Sequence, residues 1–337
     1  MAFNWVYVAL PLTFSVALGL SLVLTPWVAK TARSIGMVDK PDGALKTHEQ
    51  PVAYLGGLAV FVAFLVGFSP FYELDRQVLA IMLGGTLVVL LGFLDDLGNL
   101  KPATKLLGQA LAVLIVMKAG VAIKIVYLPP FITYPLSFLW LLGMTNAFNI
   151  IDIMDGLSAG VGAIACFFLF IVALSSGQAG VAHMTLALMG ALLGFLKFNT
   201  RPAGIYLGDA GSLFIGFMLG ALGMIGIYAR GNPVAVLAPV LILGVPIFDT
   251  LFVMILRWMR GQNPMRGSPD HFALRLRRWQ LSVGQTVGLS YLASLLLGGA
   301  ALVMIFGSEK MALAVLFGVS LGLMLSALWL KRIDMNL

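Results

Sequence analysis

Charge is what this sequence has least of. Of 337 residues only 10% are charged, against about 25% in an ordinary soluble domain, while 60% are hydrophobic and the mean hydropathy is +1.01. Such a composition excludes a water-soluble globule, so the solvent for most of the chain is a lipid bilayer. Cysteine is almost missing: Cys166 stands alone inside an apolar run, which excludes an intramolecular disulfide and a cysteine-based metal site. Histidine occurs three times, at His48, His183 and His271, and never in a cluster. No periodic repeat or low-complexity tract stands out. The net charge of +7 would suit a nucleic-acid binder, but the basic residues follow a membrane topology instead, and no nucleic-acid partner is expected.

Apolar runs fill the chain. A helix needs roughly 20 residues to cross about 30 Å of hydrocarbon, and backbone groups in lipid must be satisfied within the segment. The runs lack period-2 alternation, so they predict helices rather than barrel strands. Eleven spans are expected, near 5–28, 51–70, 78–94, 103–118, 132–148, 157–175, 180–198, 207–228, 233–257, 285–306 and 310–330. The first has no basic residue ahead of it and is too long for a signal peptide, so it reads as a retained helix.

The fold class predicted is thus an all-α polytopic membrane protein, a single domain over 1–337. With the loop after the first span on the cytoplasmic side, that side receives 16 of the 21 Lys and Arg; only Arg76, Lys118, Lys124, Arg230 and Lys310 lie opposite. This bias predicts an N-terminus outside and a C-terminus in the cytoplasm, with cytoplasmic loops near 29–50, 95–104, 149–156, 199–207 and 258–284.

Six aspartates, Asp95, Asp96, Asp152, Asp155, Asp209 and Asp249, fall inside or at the edge of apolar runs, all in the cytoplasmic half of that topology. At about 2.5–3.5 kcal/mol each, placing them at mid-bilayer would cost roughly 15–21 kcal/mol. A whole protein is stable by only about 5–15 kcal/mol. The acids therefore face a wet or cation-containing cleft rather than lipid. Helix capping or pairing with nearby Lys and Arg explains any one of them, but not six on one side.

Four segments join acids to flexible backbone. In GFLDDLGNLKPATKLLGQ, the adjacent Asp95 and Asp96 cannot share a helix face and should serve different partners, with Lys105 at the start of the next span. In TNAFNIIDIMDGLSAG, Asn146, Asn149, Asp152 and Asp155 recur every three residues, which predicts one polar stripe on a helix; Asn146 and Asn149 would also serve as interhelical hydrogen-bond glue. In IYLGDAGSLFIG, Gly208 allows close backbone approach beside Asp209, and the helix start offers free N–H groups to phosphate. Oxygen donors without Cys or clustered His favour a hard cation such as Mg²⁺, with Mn²⁺ as a substitute, shared with substrate phosphates. The fourth segment, a basic loop over 258–284, brings His271, Arg275, Arg277 and Arg278 to the same face, and 271–279 suits an interfacial helix. Asp249, in PIFDT, is expected either in the cleft or paired with Arg257.

In order and spacing, DDLGNLKPATKLLGQ, NAFNIIDIMDGLSAG and YLGDAGS resemble the polyprenyl-phosphate N-acetylhexosamine-1-phosphate transferases, over most of the chain from about residue 39 to 280. The resemblance implies transfer of an N-acetylhexosamine 1-phosphate from a UDP-sugar to undecaprenyl phosphate with release of UMP. It implies a bacterial inner-membrane enzyme with its site facing the cytoplasm, and a homodimer is compatible with it. Asp95 and Asp96 match the family's paired acids, and Asp209 the aspartate that contacts Mg²⁺. Asn149, Asp152 and Asp155 match the motif at the nucleotide end of the cleft, and Lys105 and Lys46 basic positions near the phosphates. His48 lies beside Lys46 in the first cytoplasmic loop.

The basic loop resembles the family's HIHHRL segment but reads HFALRL, keeping His271 and Arg275 and replacing the other two histidines by Ala273 and Leu274. That departure points away from the muramyl-pentapeptide branch and toward transferases that start lipopolysaccharide O-antigen, common-antigen or cell-wall teichoic-acid linkage synthesis with UDP-GlcNAc or a related sugar. The expected site is therefore Asp95, Asp96 and His271 as catalytic groups. Lys46, His48, Lys105, Asn146, Asn149, Asp152, Asp155, Gly208 and Arg275 would bind substrate, and Asp209 with Asn149 the metal. Direct attack by the lipid phosphate and a route through a phospho-aspartate are both compatible with these residues. The rival from another class is a cation- or proton-coupled transporter, but transporters place their sites near the midplane in repeated halves, and no such repeat is visible.

Overall fold

The structure, a computed structural model, describes residues 5–39, 51–71, 75–98, 100–125, 128–228, 232–264 and 267–335. Packing groups the chain into two compact units, 1–226 and 227–337.

The first unit holds α1 (Trp5–Ser34), α2 (Gly56–Phe68), α3 (Arg76–Asp96), α4 (Pro102–Lys118), α5 (Pro130–Ile151), α6 (Leu157–Ser175), α7 (Ala179–Asn199) and α8 (Gly208–Ile225). A two-residue antiparallel ribbon, Val38–Asp39 with Val52–Ala53, joins α1 to α2, and Ala53 bridges in parallel to Ile205. Local chemistry sets several helix starts. The Asp75 carboxylate accepts from the N–H groups of Gln77 and Val78, both at 2.8 Å, and α4 and α5 open on Pro102 and Pro130, whose missing N–H costs nothing in a first turn. The core is α8, with 83% of its span residues buried, packed against α2, α3, α5 and α6.

The second unit contains a 3₁₀ turn (Pro233–Leu237), α9 (Ala238–Ile242), α10 (Gly244–Met259), α11 (Phe272–Arg278), α12 (Val283–Phe306) and α13 (Glu309–Lys331). A capping box between Ser282 and Gln285 starts α12, and the Ser308 hydroxyl caps α13. α12 packs on both α9 and α13, whereas only 6% of the α13 span is buried.

Among the described residues, eight helices are long and apolar enough to cross a membrane, and they coincide with eight of the eleven expected spans. The chain is an all-α polytopic membrane protein. Of the other three expected spans, one is a shorter helix at its expected place and two differ. The fourth forms as α4 over 17 residues, and the second is only 13 residues of helix because Val52–Ala53 pair as a strand and Leu55 turns the chain with φ +78° before α2 begins. The ninth is broken: the 3₁₀ turn with α9 and then α10 meet at 77°. Pro246 explains the break, because its ring would strike the Ile242 carbonyl if the helix ran on, and Leu243 leaves helical geometry (ψ 20°).

Candidate active site

The site in the first unit is built around the start of α8. The Tyr206 N–H donates to the Ala53 carbonyl (2.8 Å), and the Gly57 N–H donates to the Leu207 carbonyl (2.8 Å), fixing the approach of the YLGDAGS segment. Gly208 turns the chain with φ +74°, in the left-handed region. Neighbouring backbones come unusually close: a Cβ on Gly57 would lie 2.2 Å from Gly211 N, and one on Gly92 2.5 Å from the Ala210 Cα.

The end of α3 lies against this first turn, and Asp96 uses both carboxylate oxygens there. The Asp209 N–H donates to Oδ1 (2.7 Å) and the Ala210 N–H to Oδ2 (3.1 Å). This corrects the expectation that the helix start offers these N–H groups to phosphate: its partial positive charge has drawn in the nearest carboxylate of the protein. Gly208 makes room for that carboxylate, since a Cβ there would sit 2.7 Å from Asp96 Oδ2.

Asp95 points elsewhere. The Lys105 ammonium, on the first turn of α4, lies 2.7 Å from Asp95 Oδ2, 2.7 Å from Asp209 Oδ2 and 3.3 Å from Asn149 Oδ1. Asn149 in turn donates to Asp209 Oδ1 (2.6 Å) and to the Ser212 hydroxyl (2.9 Å). Four helices, α3, α4, α5 and α8, thus converge on one cation position. Among the described residues no group of three His, Cys, Asp or Glu gathers as a ready metal site. The donors that do converge, two carboxylates and a carboxamide oxygen around an ammonium, are the hard oxygen set that Mg²⁺ prefers, with room in the charge balance because the acids outnumber Lys105.

The polar stripe expected over 146–155 does not form. α5 ends at Ile151, and Asp152 leaves helical geometry (ψ 56°), as the chain turns through Gly156 at φ +79° into α6. Asn146 pairs with Gln109 of α4, donating to its Oε1 at 2.7 Å and accepting from its Nε2 at 3.3 Å. It is interhelical glue rather than part of the cluster. Asp155 accepts from the Ala203 N–H (3.2 Å) and so holds the loop before Ile205. Asp152 lies half-buried in the α5–α6 turn. Burial first, then the charges of Asp209, Asp96 and Asp155, push its carboxyl up to about 8.

Lys46 and His48 fall outside the described residues. Three further groups escaped the sequence reading: Gln109, Asn199 and the Asp39–Tyr54 pair. Asn199 accepts from the Gly156 N–H and donates to the Ile205 carbonyl, both at 2.9 Å, tying the two site loops together. The Tyr54 hydroxyl donates to Asp39 (2.9 Å) and is pushed up by burial and by that carboxylate; its ring lies 6.4 Å from Tyr206. A lone Gln in an apolar helix was the only advance signal among these.

In the second unit, Asp249 is fully buried. Its Oδ2 lies 2.7 Å from His271 Nδ1 and its Oδ1 accepts from the Phe272 N–H (2.8 Å), so its partner is not Arg257, which donates to the Asn263 and Gly267 carbonyls. Arg275 also departs from expectation. Only 1% exposed, it pairs with Asp270 and donates to the Leu330 (3.0 Å) and Ile333 (2.7 Å) carbonyls, lying 5.6 Å over the Phe252 ring. It is a buried tie to the end of α13 rather than a surface group for substrate. α11 itself is packed inward through Phe272, Ala273 and Leu276 rather than lying free at an interface.

Carboxylates, a lysine and a carboxamide thus gather at one point in a bundle of apolar helices, and residues 78–227 of this bundle match the model for glycosyl transferase family 4; with a relative 34% identical over 90% of this chain, the chain belongs to that family of membrane-embedded transferases. Its relatives refine this. One, from Bacillus subtilis (strain 168), is named as a probable undecaprenyl-phosphate N-acetylglucosaminyl 1-phosphate transferase; it is 34% identical, over 90% of this chain and 87% of its own length. A decaprenyl-phosphate N-acetylglucosaminephosphotransferase of Mycolicibacterium smegmatis is 30% identical over 91% of this chain and 85% of its own. A phospho-N-acetylmuramoyl-pentapeptide-transferase of Carboxydothermus hydrogenoformans is 28% identical over 80% and 90%. The resemblance to polyprenyl-phosphate N-acetylhexosamine-1-phosphate transferases drawn from the motifs is borne out.

Proposed function

We propose that this protein transfers N-acetylglucosamine 1-phosphate from its UDP-sugar to undecaprenyl phosphate, releasing UMP, at the cytoplasmic face of a bacterial inner membrane. The observation that carries this reading is the convergence of Asp95, Lys105, Asn149 and Asp209 on one cation position. Two phosphate-bearing substrates need positive charge between them, and the acids supply the means to hold it. The orientation is supported by the topology read from the sequence, in which 16 of the 21 Lys and Arg fall on the side taken as cytoplasmic.

Asp209 and Asn149 would hold Mg²⁺, which when bound supplies positive charge to the diphosphate of the donor. Lys105 neutralises phosphate charge from the side of α4. Asp95, held only by Lys105 and the Asp209 edge, takes the proton from the lipid phosphate and orients its oxygen toward the sugar-bearing phosphorus. Asp96 is assigned to holding the first turn of α8, and with it Asp209, in register. Asp152 and Asp155 are assigned to the nucleotide end, and Lys46 and His48 to substrate binding, Lys46 by its match to a basic position near the phosphates. His271 serves as the proton-exchanging group of the second unit. Of the donors, UDP-GlcNAc is favoured over the muramyl-pentapeptide nucleotide, because the two relatives most alike among those compared are GlcNAc enzymes and Ala273, fully buried, stands where that branch carries a histidine.

The test is UMP release by purified protein given undecaprenyl phosphate, Mg²⁺ and a panel of UDP-N-acetylhexosamines. Turnover with UDP-GlcNAc that stops on chelation and returns with Mg²⁺ is expected. No UMP with any donor overturns the proposal, and ion flux in proteoliposomes without UMP would favour a transporter.

A further inference from the structure

The buried Asp249–His271 contact lies outside the cluster just described, and its geometry specifies more than packing. Asp249 has no exposed surface, and the His271 side chain keeps 10%. A carboxylate only accepts hydrogen bonds, so the 2.7 Å contact places a hydrogen on Nδ1 of a neutral His271 and leaves Nε2 as the proton-accepting atom. Nε2 has no hydrogen bond to another described residue. The other oxygen of Asp249 already ties the α11 start through the Phe272 N–H (2.8 Å). The nearby acid Asp270 does not compete for the imidazole, because Arg275 and Arg260 hold it.

We propose that Asp249 is a positioning residue that fixes the His271 tautomer and leaves Nε2 as the atom that exchanges a proton with a phosphate-bearing substrate. On this arrangement Nε2 takes up a proton from solvent, and the imidazolium, paired with Asp249, breaks its Nε2–H bond as an O–H bond forms on a phosphate oxygen of the departing nucleotide, which returns His271 to its starting tautomer. The inference rests on the role given to His271 above.

The variant Asp249→Asn separates this role from packing. Its amide oxygen must face the Phe272 N–H, because the amide NH₂ cannot accept there; the NH₂ then faces Nδ1 and forces the hydrogen to Nε2. The full-length protein, labelled with ¹⁵N-histidine, has only three histidines, so His271→Gln assigns the signal. We expect the Nδ1–H tautomer in the unchanged protein and the Nε2–H tautomer in Asp249→Asn, with melting little changed and kcat down at least about hundredfold. The KM for the UDP-sugar should stay within about threefold, and adding Asp249→Asn to His271→Gln should cost less than about threefold more. An Nε2–H tautomer in the unchanged protein overturns the proposal, and that reading survives even if Asp249→Asn fails to fold. So does a flipped tautomer with normal turnover, or lost turnover that tracks lost folding with the tautomer unchanged. Absence of UMP release from the unchanged protein would sink the proposed function instead, while the tautomer measurement would still decide the geometry.

Discussion

Asp95 and Asp96 are neighbours with the same chemistry, yet they should fail differently when replaced. Asp96 accepts two backbone N–H groups at the start of α8, at 2.7 and 3.1 Å. Hydrogen bonds to a charged group contribute about 1.5–3 kcal/mol each, so Asp96→Ala removes about 3–6 kcal/mol and leaves both N–H groups to find new partners. Asp96→Asn retains one acceptor and should lose about half as much. For a unit of this size 1 kcal/mol moves the melting temperature by about 2–4 °C, so Asp96→Ala should melt at least about 6 °C lower in detergent. Asp95→Ala leaves Lys105 still paired with Asp209 and should change melting by no more than a surface ion pair does, about 0–1 kcal/mol, while turnover collapses. The assay is thermal unfolding of the two variants beside UMP release. If Asp96→Ala melts like the unchanged protein, its carboxylate does not hold α8 and the division of labour between the two acids is wrong.

Gly57→Ala would thrust a methyl group into the Gly211 backbone, so about 1–3 kcal/mol should be lost, read as lower folded yield and melting; a normal melt would mean α2 lies further from α8. Asn146→Leu should lose about 1 kcal/mol of interhelical hydrogen bonding yet keep its turnover, whereas lost turnover at unchanged melting would return Asn146 to the substrate. The Asp270 carboxyl is pushed up by burial, but the Ser268 hydroxyl, Arg275 and Arg260 outweigh this and hold it below its ordinary value. Its contribution to stability is therefore complete above the ordinary carboxylate range and is lost as the pH falls through the depressed value; in acid titrations of melting, Asp270→Asn should start lower and fall less.

Hydropathy alone located most helices because a bilayer imposes length and apolarity on anything that crosses it. The same signal could not show where a span breaks: 233–257 reads as continuous, and only the steric demand of Pro246 against Ile242 divides it. In the site, the motifs brought Asp95, Lys105, Asn149 and Asp209 to attention, since acids in apolar runs must be compensated. A three-residue step carries no sign that α5 stops at Ile151, so it predicts a stripe through Asp152 and Asp155 that the turn after Ile151 breaks. Nor could local sequence show that Asp96 would reach across to another helix, or that Asp249 would find an imidazole 22 residues away; such pairings are decided by tertiary approach.

The grip of Arg275 on the Leu330 and Ile333 carbonyls divides the last helix into two regimes. Along its flank, apolar residues can be exchanged freely for one another, since lipid is indifferent to their shape. At its final turn the main chain itself is the ligand of a sequestered guanidinium, so a deletion reaching Ile333 would take one carbonyl from Arg275 and loosen the clasp, although Asp270 would still balance the charge.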